Sequence, residues 1–177
     1  MNTTMRVLVL ALSVAALAAC KSKGDQVDST TDNPPPRNDT TETMPSNDPD
    51  AGFKVSISDP NAAACLRQRV VNFDYDQAVI RPEFQALVSC HAKYLGYHPD
   101  ARLTLEGHAD ERGSREYNLG LGERRGNAVS DLLKANGGQD GQLSVTSYGE
   151  ERPTCTDTSE DCWGRNRRVE LVYTAEG

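Results

Sequence analysis

LTLEGHADERGSREYNLGLGERRGNAVSDLL, residues 103–133, is the stretch from which the rest of the chain is read. Leu103 and Leu105 alternate with Thr104 and Glu106, the period-two pattern of a half-buried strand. A polar loop containing Gly113 follows, and the pattern then turns helical. Leu121, Ala128, Val129, Leu132 and Leu133 share one face at about 3.6 residues per turn. Measured from Leu121 at roughly 100° per residue, these apolar positions cluster near ~40°, and Arg125 falls among them. Arg124 lies at the edge of the stripe. A guanidinium on an apolar face is costly unless something anionic meets it. Asp110, just past the strand, is the candidate partner, because a strand and the helix after it pack side by side. Two readings follow. One is a structural ion pair that orders the loop. The other is a receptor for a zwitterion, in which Asp110 takes an ammonium and Arg125 grips a carboxylate through its planar fork.

Upstream, Gln68 to Phe73 reads as a first strand, and FDYD (73–76) as the loop leaving it. Pro82 is placed to start a helix with Phe84, Leu87, Val88, His91 and Leu95 on one face. His98-Pro99-Asp100 ends it. On that apolar face His91 reads as a hydrogen-bonded core histidine. Downstream, Asn136-Gly137-Gly138 closes the central helix. Leu143 to Ser147 makes a third strand, Tyr148 to Asn166 a long loop with a short helix, and Val169 to Tyr173 a last strand. The order β-α-β-α-β-β predicts an α+β fold, a two-layer sandwich with helices on one face of a mixed sheet. Residues 65–177 suffice for one such domain.

GHADERGSREYNLGLGERRGNAV, with FDYD upstream and NRRVEL downstream, resembles the OmpA-like peptidoglycan-binding domain family and, within it, the peptidoglycan-associated lipoprotein (Pal) branch. The resemblance runs from about Cys65 to Tyr173. It implies non-covalent binding of peptidoglycan stem peptides through diaminopimelate, whose side chain ends in a free amino-acid zwitterion. By motif position the family's aspartate falls on Asp110 and its arginine on Arg125, the two residues isolated above. The resemblance also implies that the loop at Tyr75 and Asp76 holds the ligand's carboxylate through backbone amides, and it places Leu121 in the site. It implies a non-catalytic role in the Tol-Pal system of envelope integrity and cell division, with TolB and TolA as partners. An envelope protein-interaction scaffold, with peptidoglycan binding secondary, is the alternative. On this reading Asp110→Ala or Arg125→Ala loses sedimentation with peptidoglycan sacculi and leaves the fold largely intact. Gly122 stands where many members carry serine, and Gly126 where alanine is usual. Glycine inside a helix costs up to about 1 kcal/mol relative to alanine, which predicts a softer helix.

Residues 1–19 have one charge, Arg6, before an apolar run from Val7 to Leu17 that is too short to span a bilayer and reads as a secretory signal peptide. Leu17-Ala18-Ala19-Cys20 resembles the lipobox of bacterial lipoproteins, which implies cleavage before Cys20 and covalent lipid on its sulfur. Lys21 is not the aspartate associated with inner-membrane retention, so the resemblance favours the outer membrane, with the domain facing the periplasm. Residues 20–64 carry the lipidated cysteine and a linker rich in Asp, Thr, Ser, Asn and Pro. Such a composition predicts disorder. As a flexible coil the linker would reach roughly 35–40 Å, and at most about 150 Å pulled straight.

With Cys20 lipidated, Cys65, Cys90, Cys155 and Cys162 remain, an even number in an oxidising compartment, with three pairings open. Cys155–Cys162 is expected because it staples a loose loop, and Cys65–Cys90 then ties the domain's entry to its first helix. A zinc site lacks any CxxC pair or histidine cluster. Asp74 and Asp76 lack the further oxygen ligands of a calcium loop. No cofactor is expected. His108, Asp110 and Glu111 have no activated serine or cysteine beside them, and HExxH is absent, so an enzyme is not expected. The glycines at 120, 122 and 126 follow no strand and do not make a dinucleotide fingerprint. Asn166-Arg167-Arg168 reads equally as a ligand contact or a solvated strand entry. The net charge of −7 excludes general affinity for nucleic acid, and an anionic ligand must be drawn by local groups such as Arg125.

Overall fold

The computed structural model describes residues 48–177; the expected signal peptide, Cys20 and the linker up to residue 47 lie outside the described residues. Four strands and three α-helices alternate: β1 (Val70–Asn72), α1 (Pro82–Tyr97), β2 (Arg102–His108), α2 (Arg115–Ala135), β3 (Leu143–Gly149), α3 (Glu160–Asn166) and β4 (Arg168–Ala175). Pro82 begins α1 at a position where its missing N–H costs nothing. The Ser114 hydroxyl caps α2 by accepting from the Tyr117 N–H. Gly138 then closes the helix, its N–H donating to the Leu133 carbonyl.

The sheet order is β1-β4-β2-β3. β4 is antiparallel to both β1 and β2, and β2 is parallel to β3. β1, β2 and β3 therefore all point the same way and end at one edge, where β4 begins. Open sheets with parallel crossovers form crevices at that edge. Leu103 and Leu105 face inward with Val71, Val169 and Leu171, and they meet Leu87, Val88, Leu95, Val129 and Leu133 from the helices. The two-layer α+β arrangement is the one the hydrophobic periods predict.

α2 lies unusually close to the sheet. A Cβ on Gly107 would stand 2.0 Å from the Gly122 carbonyl oxygen, and one on Gly126 would stand 2.5 Å from Val145 Cγ1. The glycines of α2 therefore do more than soften it: they let the helix backbone rest on β2 and β3, which sets the depth at which Arg125 sits.

One expectation is corrected. Residues 51–64, assigned to the linker, fold onto the domain: Ile57 and Ala62 are buried, and the Ile57 N–H donates to the Tyr94 hydroxyl. The Ser56 and Ser58 hydroxyls donate to the Glu176 carboxylate. Phe53, Val55 and Ile57 put apolar groups at alternate positions, a signal hidden when composition is averaged over a long polar segment. Both expected disulfides are formed, Cys65–Cys90 joining this entry segment to α1 and Cys155–Cys162 joining the loop after β3 to α3.

Candidate functional site

A cavity of about 130 Å³ opens at the edge where β1 and β2 end and β4 begins. Asp110 enters it from the loop after β2, Arg125 and Leu121 from α2, and Tyr75 and Asp76 from the loop after β1. All five residues expected in a ligand site thus line one space. Arg112, Gly113, Tyr117 and Arg167 complete the lining.

Arg125 is fully buried, and its guanidinium meets backbone rather than a carboxylate. Nε donates to the Gln77 carbonyl at 2.8 Å, Nη1 to the His108 carbonyl at 2.8 Å, and Nη2 to the Asp74 carbonyl at 3.1 Å. One side chain thereby joins the ends of β1 and β2. It fixes the loop that carries Tyr75 and Asp76, where Asp76 takes a left-handed φ of 56°. A guanidinium has five N–H donors; two of those of Arg125 make no hydrogen bond within the protein. Burial, reinforced by the nearby Arg167 charge, lowers the Arg125 pKa to about 10, which leaves it protonated at neutral pH.

Asp110 is equally buried, but its partners are Arg112 and Arg167, not Arg125. Of the two readings of Asp110 and Arg125, this rules out the structural ion pair: they share a cavity without bonding each other. Oδ1 accepts from the Arg112 backbone N–H at 3.1 Å and from Arg112 Nε at 3.3 Å. Oδ2 accepts from Arg112 Nη2 at 2.6 Å and Arg167 Nη1 at 3.1 Å. Burial alone would push this carboxyl up, yet the hydrogen bonds from Arg112 and Arg167 hold it below the usual carboxylate range. Four donors fill the four lone-pair sites of a carboxylate.

Sequence reasoning missed Arg112. Its guanidinium lies over both the Tyr75 and Trp163 rings, 4.0 Å and 4.2 Å from their centroids. Glu160 Oε2 stands 3.6 Å from its Nη2. An arginine two residues after the aspartate, in a chain with one tryptophan, was the available signal. Arg167 and Arg168 are buried rather than solvated. Arg167 bonds the Phe73 carbonyl, Asp110 and Glu160. Tyr117 donates its hydroxyl to Asp76 across the cavity mouth.

His91 is the core histidine the apolar face predicts, with Nδ1 against the Tyr173 hydroxyl at 2.9 Å and Nε2 against the Gln68 carbonyl at 2.8 Å. His108 is buried with no hydrogen-bond partner on either ring nitrogen. Among the described residues no group of three or more His, Cys, Asp or Glu side chains is placed to hold a metal ion, and no helix is long and apolar enough to cross a membrane.

The OmpA family model matches residues 72–167. The peptidoglycan-associated lipoprotein of Pseudomonas aeruginosa is 38% identical over 169 residues, covering 92% of this chain and 92% of that protein. That of Brucella melitensis is 37% identical over 137 residues, 76% of this chain and 82% of its own length. Among solved structures, the peptidoglycan-associated lipoprotein from Burkholderia pseudomallei superposes with a TM-score of 0.64 at 41% identity, covering 67% of this chain and 98% of that one. The C-terminal domain of Helicobacter pylori MotB, 21% identical over 62% of this chain and 87% of its own, shares the fold with a TM-score of 0.57.

Proposed function

The chain belongs to the OmpA family, in its peptidoglycan-associated lipoprotein branch, and on that premise we propose that it binds peptidoglycan non-covalently through the zwitterionic end of diaminopimelate. The observation that carries this reading is the meeting, in one small cavity, of a buried guanidinium with two uncommitted N–H groups and a buried carboxylate. Arg125 receives the ligand's carboxylate, with the Tyr75–Asp76 loop beside it. Asp110 receives the ammonium. Because the Asp110 lone pairs are already filled, the ammonium takes the places that Arg112 Nε and Nη2 hold in the free protein. Leu121 supplies the apolar contact for the methylene chain.

No covalent chemistry is part of this role. Lipid on Cys20 anchors the chain in the outer membrane, and the domain reaches the cell wall from the periplasmic side. Work within the Tol-Pal system in envelope integrity and cell division, with TolB and TolA as partners, belongs to the same proposal and is supported by the branch resemblance alone. Titration with meso-diaminopimelate, with L-lysine as control, tests the site. Saturable binding of the first and not the second is expected, and Asp110→Asn, which keeps shape but loses charge, abolishes it. Equal binding of both amino acids, or of wild type and Asp110→Asn, overturns the reading.

A further inference from the structure

We propose that the Cys155–Cys162 disulfide and Trp163 set the affinity of the diaminopimelate pocket by holding Arg112 shut over Asp110. This rests on the function proposed above and adds a positioning element to it.

Arg112 is held by three groups besides Asp110. Its guanidinium carbon lies over the Tyr75 ring at 4.0 Å and over the Trp163 ring at 4.2 Å, and Glu160 Oε2 stands 3.6 Å from its Nη2. The last two both come from α3. That helix has seven residues, too few to hold its shape unaided. It is fixed by the Ser159 cap, by the buried Cys162 disulfide and by Asn166. The Asn166 side chain accepts from the Thr154 and Cys155 backbone N–H groups and donates to the Cys155 carbonyl. The Trp163 indole N–H donates to Glu111 Oε1 at 3.0 Å, so the ring that stacks on Arg112 is also pinned to the loop carrying Asp110.

The chain of support therefore runs from the disulfide to α3, from α3 to Trp163 and Glu160, and from these to Arg112. An incoming ammonium must displace the Arg112 side chain from Asp110. Whatever strengthens the hold on Arg112 weakens the ligand. A cation–π contact and an exposed ion pair together are small effects, and the Ser159 cap and Asn166 still hold part of α3, so opening the disulfide tightens binding by up to about tenfold.

The test is a titration of the full chain with meso-diaminopimelate at 25 °C, comparing wild type, Cys155→Ala/Cys162→Ala, Arg112→Ala, and the triple variant. Tighter binding is expected in the disulfide-free protein. Arg112→Ala is tighter still, and removing the disulfide from it changes nothing further. A disulfide that only stabilises the fold lowers the melting temperature and leaves the dissociation constant of the folded protein unchanged. Unchanged or weaker binding in Cys155→Ala/Cys162→Ala overturns the proposal, as does an equal effect of disulfide removal with and without Arg112.

Trp163 is the chain's single tryptophan and gives a second readout without ligand. Arg112→Ala shifts its emission when the disulfide is present and not when it is absent. An equal shift in both backgrounds refutes the coupling. Should wild type not bind diaminopimelate, the function proposal fails, and the emission cycle still decides whether the disulfide positions Arg112.

Discussion

Replacing Arg125 by alanine removes the donor for three carbonyls, those of Asp74, Gln77 and His108, from a site with no exposure. A hydrogen bond to a charged group contributes about 1.5–3 kcal/mol, but the guanidinium's desolvation, visible in its pKa of about 10, offsets part of the sum. Leaving these three carbonyls without their donor costs about 1–3 kcal/mol each, so the net loss is roughly 3–5 kcal/mol. That is a large share of the ~5–15 kcal/mol that holds a domain together. The melting temperature should fall by roughly 10–20 °C. The fold expected to stay largely intact in this variant is kept, at a much lower stability. Arg125→Lys keeps the charge but not the three-way fork, and falls between the two. Differential scanning calorimetry with urea melts measures the series. An Arg125→Ala protein melting within about 3 °C of wild type would show that this guanidinium does not join β1 to β2.

Asp110→Asn should lose diaminopimelate binding with a smaller stability cost than Arg125→Ala, since the amide oxygen still accepts two of the four donors and Arg167 keeps the Phe73 carbonyl and Glu160; a calorimetric and binding comparison separates the two residues. Burial pushes the pKa values of both His91 and His108 down to about 4 from their ordinary 6.5, with the nearby positive charge of Arg168 adding to the shift at His108. The unfolded chain takes up these protons near pH 6.5 and the folded one only near 4, so stability is full above about pH 7 and falls as pH drops through that window, by about 3 kcal/mol per histidine at most. A urea midpoint that stays flat from pH 7 to 5 would contradict this. Gly107→Ala drives a Cβ into the Gly122 backbone and should destabilise by more than the ~1–3 kcal/mol of ordinary overpacking, measured by urea melts. Cys65→Ala/Cys90→Ala should cost about 3–4 kcal/mol by chain entropy, without changing ligand affinity.

Much of this protein was legible in the residues themselves. Periods of two and 3.6 around Leu103–Leu133 fixed the strand and helix types and their order, because hydrophobic spacing reports which face each element buries. The isolation of Arg125 on an apolar face marked the site, since a buried guanidinium demands partners wherever it sits. What those partners are was decided by tertiary structure. Sequence neighbourhood suggested Asp110. The sheet order instead brought the Asp74, Gln77 and His108 carbonyls around Arg125, and gave Asp110 to Arg112 and Arg167. Trp163, Tyr75 and Arg112 are separated by tens of residues, and only the folding of α3 against the loop after β2 stacks them. The ordered segment at 51–64 escaped for a related reason: its few apolar side chains mean little until the core is there to receive them, with Tyr94 and Glu176 taking the Ile57 N–H and the Ser56 hydroxyl. Local pattern determines which residues must be buried; the packing of distant segments determines what each buried polar group finds there.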